Sequence, residues 1–389
     1  MKIDNLLAAL DFHREETLVS KYFVHYTNNG GQHVFLFKDL KDGSAKFSSP
    51  SGEWRGNIYD LINFYHDTDN SSSFNEADRM ELFIRANDAK KWDLTSGIEE
   101  LEPVAHFNLY KLLFKQYGHC KDPVFGNALE SPDMMYFFFM DEDITPSQQH
   151  NILGVVTYDK KTREETTVHF SDLGRSIYFS DPSIASREAV IFNSFREMVA
   201  FRSRMATDFF YIVFKGSFNT VKAKTINLLC GTKGITKTYL AFPDRLEGYY
   251  RDIEYLGVFA GMDIKDKTGF LKLSVPQSVR SDIFIGRLKD LKASIEKDLE
   301  RNDIRGLISI KGGRDLNGSP VFVIEIARIA NILKGFLVLA SKYLLTEKDF
   351  RIVKPKGVYW SEDRANIKNV GTEFKLNIYD TIGEVYQYN

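Results

Sequence analysis

Three alternations of strand and helix dominate what this 389-residue chain can become. Apolar strand patterns at residues 189–193, 209–214 and 238–242 are each followed by a helical pattern, at 195–205, 220–230 and 246–256. Strands separated by helix-length connections run parallel and carry the helices on the faces of their sheet. Such a sheet takes ligands beyond the carboxyl ends of its strands, here near Asn193, Lys215-Gly216 and Pro243-Asp244. Chemistry is to be sought there first.

Around this core the texture differs. Residues 21–26 and 33–38 are rich in β-branched and aromatic side chains and flank Asn28-Asn29-Gly30-Gly31, which predicts a hairpin. A short strand at 45–48 and a helix at 57–65 follow, and residues 76–117 carry mostly helical patterning. Strands are expected at 134–140, 154–158, 166–170 and 176–179. Beyond residue 270 the pattern predicts a strand, an amphipathic helix over 281–301, a hairpin from 307–311 and 321–326, and a helix through residue 340. The length supports two or three domains of about 150 residues each. The expected fold class is α/β and α+β multidomain, divided as 1–66, 67–130, 131–265 and 266–389.

Fifty-one Lys plus Arg against 53 Asp plus Glu give a net charge of -2, so total charge predicts no polyanionic partner. The distribution is uneven: residues 265–356 hold 19 Lys plus Arg against 11 Asp plus Glu, which can create a basic face. Two cysteines, Cys120 and Cys230, are too few for a disulfide framework or a four-thiolate zinc site. The longest apolar run has seven residues, far short of the roughly 20 that span a bilayer, and the amino terminus lacks the apolar core of a secretory signal. A cytoplasmic protein without membrane contact is expected.

Three stretches, in order, resemble the primase-like proteins with a Toprim domain (the topoisomerase–primase fold) of conjugative plasmids and transposons. Phe47-Ser-Ser-Pro-Ser-Gly-Glu-Trp-Arg-Gly-Asn-Ile-Tyr-Asp-Leu61 is similar to the end of the zinc-binding primase module, a turn followed by an Ile-Asp-Leu helix. Gly154-Val-Val-Thr-Tyr158 and Gly174-Arg-Ser-Ile-Tyr-Phe-Ser-Asp-Pro182 look like the lead-in to the Toprim domain. Ala189-Val-Ile-Phe-Asn-Ser194, the glycine at 216 and Tyr239-Leu-Ala-Phe-Pro-Asp-Arg-Leu-Glu-Gly248 follow its core. The resemblance runs in pieces between residues 6 and 262. It implies a zinc-ribbon-like β unit at 1–66, a helical linker region at 67–130 and a Toprim-like parallel-sheet core at 131–265; outside the match, the strand and helix pattern alone predicts the α+β unit at 266–389.

The departures matter as much as the likeness. The family's zinc-binding cysteines fall near Ser49 and Gly52, which supply no thiolate, so no metal is expected there. Its proton-handling Glu and its Asp-x-Asp for Mg²⁺ fall at Asn193, Pro243 and Arg245, which supply no carboxylate. The resemblance therefore implies a nucleic-acid-handling fold without its reaction and without a cofactor. Its expected partners are single-stranded DNA or RNA and replication or mobilisation proteins. An alternative is a divergent Mg²⁺-dependent primase or nuclease in which Asp244, with Glu247 nearby, replaces the lost ligands. A second is a protein-interaction module that binds no nucleic acid.

Each candidate residue carries two readings. Asp244, Glu247, Asp252 and Glu254, with Asp263 and Asp266 folded back, read as a residual Mg²⁺ site or as a solvated face. Lys215, Lys222, Lys224 and Arg245, among other bases around the core, read as phosphate contacts or as scattered charge, and Trp54 beside Arg55 as a base-stacking ring or as packing. Lys311-Gly-Gly-Arg314 reads as an anion nest or as a hairpin turn. His119-Cys120 and the pair His25 and His33 read as reactive or metal-binding groups or as ordinary loop and strand residues.

Overall fold

The computed structural model describes residues 4, 7–8, 10–52, 54–68, 80–81, 84, 98–140, 152–171, 177–180, 185–205, 208–299, 306–344, 350–355 and 358–361. The chain is mixed α/β and divides into two compact units, Met1–Ser176 and Ile177–Asn389. Segments 1–66 and 67–130 of the sequence reading lie in the first unit, 266–389 in the second, and 131–265 on both sides of the division.

The first unit opens with a five-stranded antiparallel meander: β1 (Phe12–Glu15), β2 (Phe23–Asn28), β3 (His33–Lys38), β4 (Ala45–Ser48) and β5 (Arg55–Gly56). The predicted hairpin joins β2 to β3, and of its two glycines only Gly31 takes a positive φ, +74°. Where the resemblance places two thiolates, backbone hydrogen bonds close the β4–β5 turn: Ser49 N–H to Trp54 O and Gly52 N–H to Ser49 O, each 3.0 Å. Helix α1 (Ile58–Thr68) seals one face with Leu61 and Ile62 against Tyr26, Leu36 and Phe47. A second core lies under α2 (Leu109–Tyr117) and the strands β6 (Leu129–Glu130), β7 (Met134–Met140), β8 (Ile152–Asp159) and β9 (Glu165–His169). The helical patterning read over 76–117 is corrected in part: residues 98–108 are not helical. Pro103 interrupts the pattern, and Val104 instead exchanges backbone hydrogen bonds with Lys38 and Leu40 at the end of β3.

The second unit contains the predicted parallel sheet. Strand β11 (Glu188–Phe192) pairs in parallel with β12 (Phe210–Phe214) on one side and β13 (Lys237–Leu240) on the other, while β10 (Ile177–Phe179) runs antiparallel to β12. Every residue of β12 is buried, as expected of a strand with both faces covered. Helices α3 (Phe195–Arg202), α4 (Thr220–Thr232) and α5 (Leu246–Ala260) are the connections. Gly248 lets α5 approach the preceding turn, since a Cβ there would lie 1.9 Å from Pro243 O. A fourth parallel strand, β18 (Arg351–Ile352), joins β13 from more than 100 residues away, a pairing without a local sequence signal.

Between α5 and β18 the chain forms β14 (Asp263–Lys267), β15 (Phe270–Pro276), α6 (Val279–Leu299), β16 (Ile308–Arg314), β17 (Pro320–Ala327) and α7 (Ala330–Tyr343). The strands make an antiparallel sheet in the order β14-β15-β17-β16. Leu271, Leu273, Ile324 and Ile326 pack with Phe284 and Leu288 of α6 and Leu333 and Phe336 of α7, in a core continuous with that of the parallel sheet. The expected turn or nest at Lys311-Gly-Gly-Arg314 is corrected: these residues extend β16, with Gly312 opposite Phe322 and Gly313 opposite Val321. The turn comes later, where Asp315 accepts from Asn317 and Ser319 N–H and Gly318 takes φ +81°. Among the described residues, no helix is long and apolar enough to cross a membrane.

Candidate functional site

The carboxyl ends of β11, β12 and β13 open onto the starts of three helices. Ser194 caps α3 and accepts Glu197 N–H, Asn219 caps α4 and accepts Lys222 N–H at 2.9 Å, and Arg245 stands at the cap position of α5 without a side-chain cap bond. Gly216, after β12, takes φ +69°, a conformation that favours glycine.

The three positions to which the resemblance assigns acidic groups behave differently from one another. Asn193 is half-buried, and its Oδ1 has no hydrogen-bond partner among the described residues. Pro243 turns its carbonyl toward Lys354 Nζ at 3.4 Å. Arg245 pairs with Glu247, and its guanidinium lies 4.7 Å from the ring centre of Tyr359.

Nearby carboxylates are matched to groups of the chain itself. Asp244 accepts from the Tyr249 hydroxyl and lies 3.7 Å from Lys334 Nζ. Asp252, fully buried on α5, is paired with Lys354, whose ammonium also reaches Phe242 O at 3.3 Å. Burial pushes the Asp252 carboxyl up to about 7, against the opposing pull of Lys354, and its Oδ1 has no partner among the described residues. Glu254 pairs with Arg251 at 2.6 Å, Asp263 with Lys265 at 3.5 Å and Asp266 with Arg328 at 3.0 Å. Glu247 and Asp244 thus each have their own cation, and no group of three metal-ligating side chains exists among the described residues.

The predicted phosphate contacts divide sharply. Lys224 is exposed and Lys215 half-buried, its ammonium 5.9 Å from the Phe195 ring centre. Lys222 is only 2% exposed, and its ammonium donates to Lys215 O and to Ser217 O at 2.8 Å, so it fastens the β12–α4 turn. In the first unit Trp54 stacks on Phe64 with ring centres 4.6 Å apart. Its neighbour Arg55 is bonded to Asp39 at 2.6 Å and lies over the Phe37 ring. Trp54 and Arg55 are thus engaged by the chain's own side chains.

The other candidates are likewise placed. Burial pushes the Cys120 thiol up to about 12, away from a thiolate. His25 Nε2 lies 3.0 Å from His33 Nδ1, and burial drives His25 down to about 3.

Two residues escaped the sequence reading. Glu197 is buried and holds Trp360 N–H and Ser361 N–H on Oε2, with Ser361 Oγ on Oε1 at 2.8 Å; burial raises its pKa against these bonds. The Ser194-x-x-Glu197 spacing of a capping box was its one available signal. Lys354 had none, because its partner lies 102 positions away. Comparison of the chain with protein-family models, curated proteins and solved structures gives no match.

Proposed function

We propose that this protein is a non-catalytic, nucleic-acid-binding or scaffolding protein of the mobile-element primase type, with a Toprim-like core that serves replication or transfer by binding rather than by turnover. One observation carries the reading. At the carboxyl edge of the parallel sheet the acidic side chains are each engaged from within: Lys354 on Asp252, Lys334 and Tyr249 on Asp244, Arg245 on Glu247, and backbone N–H groups on Glu197. A hydrolytic or polymerising metal site needs carboxylates free to share a hard cation, and an ammonium in contact competes for the same oxygens. The partner class is single-stranded DNA or RNA, held through phosphates by local lysines despite the near-neutral total charge.

Binding of a labelled oligothymidylate by the full chain, titrated from about 50 to about 200 mM salt, tests this reading; the expected result is affinity that falls steeply with salt. Absence of binding at low salt would replace it with a protein-interaction module. Mg²⁺-dependent primer synthesis or strand cleavage that is abolished by Asp244→Ala would replace it with the divergent enzyme.

A further inference from the structure

One face of the antiparallel sheet of the second unit packs on α6 and α7, and among the described residues the other face leaves Lys265, Lys267 and Lys311 exposed. Leu271, Leu273, Ile324 and Ile326 point at α6 and α7, so the residues that alternate with them point the other way. Register sets Lys265 of β14 directly opposite Lys272 of β15, Lys272 opposite Glu325 of β17, and Lys311 of β16 opposite Val323. All five positions belong to the outer face, as does Lys267. Lys265, Lys267 and Lys311 are exposed, and Phe270, opposite Lys267, keeps 37% of its surface in solvent.

This arrangement is poor for stability. Like charges directly across a strand pair repel, yet Lys265 and Lys272 are held so. The counter-charges are sparse. Asp263 lies 3.5 Å from Lys265, and Glu325 takes Lys267 at 2.9 Å while also feeling Lys272 and Lys311. Glycine at 313 leaves room for its neighbour, because a side chain there would put its Cβ 2.9 Å from Val323 Cγ2.

We infer that the outer face of β14, β15, β17 and β16 is a platform for single-stranded nucleic acid, its lysines taking phosphates while Phe270 stacks on a base. Lysine in excess over carboxylate selects a polyanion. The exposed ring selects one whose bases are free to stack, which a single strand offers and a closed duplex does not. Lys265 and Lys267 stand about 6.8 Å apart along β14, twice the rise of an antiparallel strand, a repeat that an extended sugar-phosphate chain can follow. The platform rests on the proposed function, but it names a surface that the primase resemblance, which ends near residue 262, leaves unassigned.

The test compares the full chain with the double variant Lys265→Ala/Lys272→Ala, with Phe270→Ala, and with Lys289→Ala/Lys292→Ala on α6 as a charge-matched control. The probe is labelled oligothymidylate. The lysine pair on the platform should cost at least about tenfold in affinity and lower the salt slope by about 1.4, at roughly 0.7 per single-strand phosphate contact. Phe270→Ala should weaken binding about fivefold or more with an unchanged slope. The control pair should bind within about twofold of the parent. Removing the Lys265–Lys272 repulsion should leave the melting temperature equal to or above the parent's, which separates lost contact from lost folding. If the parent binds but both platform variants match it, the platform is wrong and the proposed function stands. If the parent fails to bind at low salt, both fall. Phosphatidylserine vesicles captured through these lysines, with oligonucleotide binding unaffected by their removal, would assign the face to a membrane surface and overturn the inference.

Discussion

Ser361 Oγ donates to Glu197 Oε1 at 2.8 Å, a bond between residues 164 positions apart. The same carboxylate takes two backbone N–H groups, and Trp360 Nε1 donates to Ala241 O at 2.9 Å, so residues 360–361 are stitched across the ends of β11 and β13. Glu197→Ala leaves those buried donors unpaired and should cost about 2–4 kcal/mol. Hydrogen exchange should accelerate at Trp360 and Ser361 specifically. Unchanged protection there would show that Glu197 is not what holds the segment.

Lys354→Met removes the counter-charge of a carboxyl that burial already raises to about 7. A carboxyl raised in the folded state contributes stability below its ordinary range of about 4 and loses it as pH climbs through its folded value. Without Lys354 the folded value rises further, so the variant should be weakest at pH 8, by about 3–5 kcal/mol, and close much of that gap by pH 5. Chemical denaturation at the two pH values decides it; an equal deficit at both would contradict the pairing.

His25 and His33 predict acid sensitivity. Burial holds His25 near 3, below the ordinary 6.5, so the folded chain binds fewer protons than the unfolded one between those values. The resulting stability is complete above about pH 6.5 and drains away as pH falls toward 3, at up to about 1.4 kcal/mol per unit. His25→Phe should flatten this acid limb, which a pH series of unfolding curves measures. A limb as steep as the parent's would locate the sensitivity elsewhere.

Much of the fold was legible because local pattern and tertiary outcome agree. Strands β11 to β13 alternate with helices at spacings that permit only crossover connections, and the β2–β3 hairpin announces itself in Asn28-Asn29-Gly30-Gly31. Legibility failed where distant partners decide. Residues 98–108 leave the helical pattern to bond with the end of β3, and Arg351–Ile352 become a strand only because β13 offers an edge. The candidate site failed in the same way. Asp244 and Asp252 could be found by chemistry, but the cations that meet them are Lys334 and Lys354, remote in sequence. Lys222 shows the converse: its charge reads as surface, whereas the carbonyls of Lys215 and Ser217 draw it inside.

Gly248→Ala should be among the most damaging single-methyl additions. Its new Cβ would fall 1.9 Å from Pro243 O, which is backbone and cannot swing aside. A loss of roughly 3 kcal/mol or more is expected in thermal unfolding, with α5 displaced from the turn. Gly231→Ala on α4, where a Cβ meets nothing within 4 Å, should be neutral or stabilise by up to about 1 kcal/mol and serves as the comparison.

The ammonium beside Asp252 is covalently attached, and that changes what kind of site this edge is. A bound ion comes and goes with its concentration outside, and a chelator can strip it. Lys354 has no free pool and no off-rate, so the balance of charge at this corner is fixed at translation and follows acidity rather than the mineral content of its surroundings.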